Sequence, residues 1–96
     1  MSEYFLKDLK KLLVDEQKIS DSAICAIEEM SELSKVLCKL LRNSEKFNIH
    51  DLIEELSHTL LMVETIQKYF NISDESINNQ QLTALNKWVI SRRTTI

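Results

Sequence analysis

The chain has 96 residues, 44% of them apolar and 28% charged, and a net charge of −3. That is one domain, residues 1–96, of a size that buries only roughly 60–65% of the surface its unfolded chain exposes. The composition excludes a disordered chain, no apolar run is long enough for a membrane span, and the negative charge argues against a nucleic-acid polymer as partner.

The absence of Gly and Pro is the strongest architectural statement, because hairpins and tight turns draw on both. All-α is the natural reading. Phe5, Leu6, Leu9, Leu12 and Leu13 recur at helical spacing and predict a first helix over about 3–14. DEQKIS reads as a connector, with Ser20 or Asp21 as the N-cap of a second helix over about 20–42. Its apolar stripe is Ile24, Ile27, Met30, Leu33, Leu37, Leu40 and Leu41. After NSEKFN, Asn48 is placed to cap a third helix over about 48–71, with Leu52, Leu56, Leu60, Val63, Ile66 and Phe70 as its stripe and Asn71 at its end. Ser73, Asp74 and Glu75 start a fourth, over about 74–92, whose opening INNQQ suggests an irregular first turn. Trp88 reads as core or subunit interface, and Lys87, Arg92 and Arg93 make the last turns basic.

Charges interrupt the apolar positions of MSEYFLKDLKKLL, which is not the pattern of a signal peptide, so a cytoplasmic setting is expected. Cys25 and Cys38 agree with reducing conditions. On one helix they would lie about 20 Å apart along the axis, beyond disulfide reach, and no metal-ligand spacing surrounds them.

With about 100° of rotation per residue, Cys25, Glu29, Glu32 and Val36 share one line of the second helix, beside its apolar stripe. Asp51, Glu55, His58 and Met62 do the same on the third. Packed antiparallel, the two helices would bring these polar groups face to face as a metal cage. Spacing alone favours an ordinary solvated face for such carboxylate pairs, and a lone histidine at an apolar edge is more often a hydrogen-bonded structural residue.

The stretches AICAIEEMSELSKVLCKLLRN and DLIEELSHTLLMVETIQKYFNI, within residues 20–72, resemble the MazG-like branch of the all-α nucleoside triphosphate pyrophosphohydrolases. That family carries EExxE on one helix and ExxD on the next. The first motif is present as Glu28-Glu29-Met30-Ser31-Glu32, and the second reads Glu54-Glu55-Leu56-Ser57-His58, with His58 at the aspartate position.

The resemblance implies a four-helix antiparallel bundle completed by self-association as dimer or tetramer. It implies Mg²⁺ held by Glu29, Glu32 and Glu55 with His58 as the altered fourth position, and Lys87 and Arg92 as candidate phosphate contacts. The implied reaction converts an NTP or dNTP to a monophosphate and pyrophosphate. Exchange of a carboxylate for imidazole shifts the expected metal toward Mn²⁺ or another divalent transition metal, and Asp51, one turn before Glu55, is a further oxygen donor. The alternative is a catalytically silent nucleotide-binding or protein-interaction module on the same fold.

Overall fold

The computed structural model describes residues 3–90, which are helical throughout apart from short joints. The elements are α1 (Glu3–Glu16), α2 (Ile19–Leu41), α3 (Ile49–Tyr69) and α4 (Asp74–Leu85), continued by a π-helical turn over Asn86–Ile90. Two N-caps form as the residue types dictate. The Asn48 side chain accepts a hydrogen bond from the His50 amide at 2.7 Å and Ser73 Oγ accepts from the Ser76 amide at 3.1 Å, each contact stabilising its helix by about 1 kcal/mol. A chain without glycine needs another residue type for left-handed backbone where a helix ends. Asparagine fills that role at Asn43 (φ 52°) and Asn71 (φ 56°).

The start of α2 departs from the expected Ser20 or Asp21 cap. Lys18 is the N-cap and makes no side-chain cap bond, so Ser20 and Asp21 fall inside the first turn. The joint with α1 shrinks to Gln17 and Lys18. Ser22 is buried there instead of exposed at a cap, and its Oγ donates to Gln17 Oε1 at 2.8 Å. The start of α4, expected to be irregular, is a regular helix from Asp74.

The core sits between α2 and α3, which run antiparallel. Ser22, Ala26, Glu29, Leu33 and Val36 on α2 recur at alternating intervals of four and three, as do Leu52, Glu55, Thr59 and Met62 on α3, and all are buried or half-buried. This is the 3.5-residue period of a two-helix seam. Its fully buried members are small or of moderate size: Ser22, Ala26 and Val36 on α2, Met62 and Thr65 on α3. Most of the larger apolar side chains of the stripes point elsewhere. Ile24 is 55% exposed, Ile27 61% and Leu60 58%.

α1 docks on α3, where Lys10 Nζ lies 2.9 Å from Glu64 Oε2. At the other end, Gln67 Nε2 donates to Asp74 Oδ1 at 2.8 Å and to the Ile72 carbonyl at 3.1 Å, fixing the turn into α4. Beyond that joint, among the described residues, α4 packs against the π-helical turn and no other helix. The four helices therefore do not close around one core within a single chain. The radius of gyration is 16.7 Å, against about 12.5 Å for a compact domain of this length. Among the described residues no helix is long and apolar enough to cross a membrane.

Candidate metal centre

Halfway along the α2–α3 seam, two of the positions that a coiled-coil pattern reserves for apolar residues hold Glu29 and Glu55. A third polar group, His58, lies one turn after Glu55 at the rim. One ligating atom each from Glu29, Glu55 and His58 falls within 4.8 Å of the others. The helical register produces this meeting: Glu29 is one turn after Ala26, Glu55 is one turn after Leu52, and close packing of the small seam residues brings the two backbones together. Thr59 Oγ1 adds a direct tie by donating to the Glu29 carbonyl at 3.4 Å.

The three groups are held differently. His58 Nδ1 lies 3.2 Å from Glu29 Oε2. His58 Nδ1 and Glu29 Oε2 face one another, so this nitrogen either donates to the carboxylate or, without its proton, shares a cation with it. Glu29 is less exposed than His58, at 28% against 47% of its side chain. Glu55 has the least support. Its Oε2 is buried and has no hydrogen-bond partner. Desolvation raises its pKa above the ordinary carboxylate value; the negative charges of Glu29, Glu54 and Glu32 push the same way, and His58 opposes them. An orphaned carboxylate oxygen beside a second carboxylate and an imidazole is costly without a cation and well matched to one.

This donor set passes a test of fit for a divalent metal, with a qualification on which. Two carboxylates and an imidazole nitrogen suit Mn²⁺, Fe²⁺ or Zn²⁺ better than Mg²⁺, which prefers oxygen throughout.

The remaining candidates occupy other places. Glu32 is outside the three-residue group and pairs with Lys35 at 3.1 Å on the exposed side of α2, though its charge still acts on Glu55. Asp51 is exposed in the first turn of α3 and is not among the clustered ligands. Lys87 is on the π-helical turn, which among the described residues packs only against α4 and so is not brought to the cluster. Arg92 lies outside the described residues. Both cysteines are free; Cys25 is half-buried and lines a cavity of about 270 Å³ with Glu29, His58, Leu61 and Met62.

Sequence reasoning missed Lys10. It faces Glu64, and both line a cavity of about 350 Å³ that reaches His58. Its position depends on how α1 docks on α3, for which no local pattern exists. Comparisons with protein-family models, with curated proteins and with solved structures give no match.

Proposed function

We propose that this chain is a divalent-metal-dependent hydrolase of the MazG-like kind, cleaving an NTP or dNTP to its monophosphate and pyrophosphate. The observation that carries the reading is the Glu29–Glu55–His58 cluster with its unpartnered, buried Glu55 oxygen. Glu29, Glu55 and His58 would hold the cation, with Glu32 near enough to add negative charge. A bound divalent cation supplies neutralisation of phosphate charge and activation of a water. The chain's own part is to fix the two carboxylates on rigid helices, to hold His58 Nδ1 facing Glu29, and to keep the seam side of the site dry. Mn²⁺ is the favoured metal on the donor set, with Mg²⁺ as a weaker substitute.

The same proposal includes self-association as dimer or tetramer into an antiparallel bundle. Its support is the unclosed core: the accessible surface is 8102 Å², whereas a folded monomer of this mass exposes about 5,700 Å². The difference far exceeds the roughly 800 Å² per partner that a stable interface buries. A neighbouring copy would also be the way for Lys87 to approach the cluster.

The test is product analysis. Incubation with a panel of NTPs and dNTPs is expected to yield monophosphate and pyrophosphate, faster in Mn²⁺ than in Mg²⁺, and a Glu29→Gln variant is expected to lose at least about 100-fold in kcat/KM. Turnover equal in the variant, or its absence with either metal, would remove the enzymatic reading. The second reading, a silent nucleotide- or metal-binding module, is favoured by one observation, the engagement of Glu29 with His58 and of Glu32 with Lys35. It predicts thermal stabilisation by metal and nucleotide without product.

A further inference from the structure

A run of cavities joins the carboxylate–histidine cluster to a group of lysines on the other side of α3. The 270 Å³ cavity at Glu29 shares His58 and Leu61 with the 350 Å³ cavity, which also holds Lys10 and Glu64. That cavity shares Leu6 and Lys10 with a third, of about 330 Å³, lined by Leu6, Lys7, Lys10 and Lys68. The third section has three ammonium groups and no carboxylate. It opens into a fourth, of about 380 Å³, where Lys7 and Lys68 recur with Lys11 and where Asp8 and Asp15 restore the charge balance. Positive charge is thus concentrated in the third section, between α1 and α3, one cavity removed from His58.

We propose that this α1–α3 groove is a polyphosphate subsite, in which Lys10 and then Lys7 and Lys68 receive the phosphates that lie beyond the metal. The inference rests on the hydrolase reading for the identity of the metal end, but the groove itself is defined independently of turnover. Three features support it. From His58 to Glu64, the α3 partner of Lys10, is six residues, or about 9 Å along the axis, a span matched to a triphosphate chain. Lys10 is held in place, with its side chain 29% exposed and one donor used by Glu64, leaving two N–H groups for phosphate oxygens. Leu61, which is half-buried, forms an apolar wall beside Lys10 and displaces water from that side. An anion with several phosphates can occupy the metal end and the lysine section together, whereas a monophosphate reaches only one. That asymmetry would favour binding of triphosphate and release of monophosphate.

The experiment uses the full chain, with inorganic tripolyphosphate and a nucleoside triphosphate as separate probes, titrated calorimetrically in the presence of Mn²⁺. Lys10→Met keeps the aliphatic stem and is expected to weaken both probes by roughly 10- to 100-fold, to leave Mn²⁺ affinity unchanged, and to be rescued in large part by Lys10→Arg. Glu64→Gln removes the same ion pair while keeping the ammonium. It is expected to leave binding equal or tighter, which separates a phosphate contact from a structural clasp. Tighter binding of the nucleotide than of tripolyphosphate identifies a nucleotide as the ligand, and equal binding identifies the polyphosphate chain itself; both support the subsite. Tripolyphosphate binding that depends on Lys10 supports it even if no nucleotide turns over, which would count against the hydrolase alone. Equal weakening by Lys10→Met and Glu64→Gln, no effect of Lys10→Met, or no binding of either probe at millimolar concentration overturns the proposal.

Discussion

Glu55→Gln is expected to make the metal-free protein more stable and to weaken the metal binding proposed for the cluster. Glu55 is raised above the ordinary carboxylate pKa, first by desolvation and then by its acidic neighbours, so the native state holds this proton to higher pH than the unfolded chain does. Between the ordinary and the raised value the native state binds more protons, and stability falls as pH rises through that window. Above it the loss is complete, because a charged Glu55 sits beside Glu29 with one oxygen buried and unpartnered. Glutamine has nearly the same shape, carries no charge and can donate to Glu29.

The melting temperature of the metal-free variant should therefore exceed that of the unsubstituted protein at neutral pH. The gap should shrink as pH falls through the raised pKa toward the ordinary carboxylate range. Added Mn²⁺ should reverse the order, stabilising the unsubstituted protein and leaving the variant little changed, with affinity lower by at least about 100-fold. Thermal melts across pH, with and without Mn²⁺, read both effects. A variant that is less stable at neutral pH without metal, or that binds Mn²⁺ equally well, would show that Glu55 is neither strained nor a ligand. A paired gain and loss is what distinguishes a functional carboxylate from one placed for stability.

The second large effect concerns association. Sedimentation or light scattering should give the mass of a dimer or tetramer, and the melting temperature should rise with protein concentration, as it does when folding and assembly are linked. Ile27→Asp and Ile53→Asp place a charge on the exposed apolar faces of α2 and α3 without touching the seam or the cluster. Each is expected to abolish assembly. Among the described residues the isolated chain has only Ala26, Val36 and Met62 as buried apolar side chains, too small a core to outweigh the entropy of ordering the helices, so loss of helical signal at 37 °C should accompany it. A cooperative melt of a monomer, independent of concentration and unaffected by either substitution, would sink this expectation.

The all-helical class was legible because the chain lacks the residues on which turns between strands depend, and two of the helix starts were legible because Asn48 and Ser73 have side chains that accept from the first-turn amides. The start of α2 was not, because Ser22 competes for the same stretch by bonding Gln17, and α1 extends to Glu16 as a result. Periodicity located the apolar stripes but misjudged what they meet. α2 has two apolar flanks, and the one with small residues faces α3 because close helix approach selects for size as well as hydrophobicity. Within the site, Glu29, Glu55 and His58 could be found because they share helical lines with the buried Val36 and Met62. Glu32 lies on the α2 line too, yet three residues later Lys35 offers it a partner on the solvent side. Lys10 and Lys68 are on different helices, separated by most of the chain, and only the docking of α1 on α3 places them in one groove.

The freestanding α4 has a kinetic consequence. Its backbone hydrogen bonds are intact, but among the described residues no other helix shields them, so amide exchange there would report on the proposed assembly instead of on the stability of the α2–α3 pair. In a dilute sample the α4 amides should exchange within the dead time while those around Val36 and Met62 persist. In a concentrated one the two sets should converge. If the proposed assembly covers α4, its lifetime would be read directly from the rate at which these amides exchange.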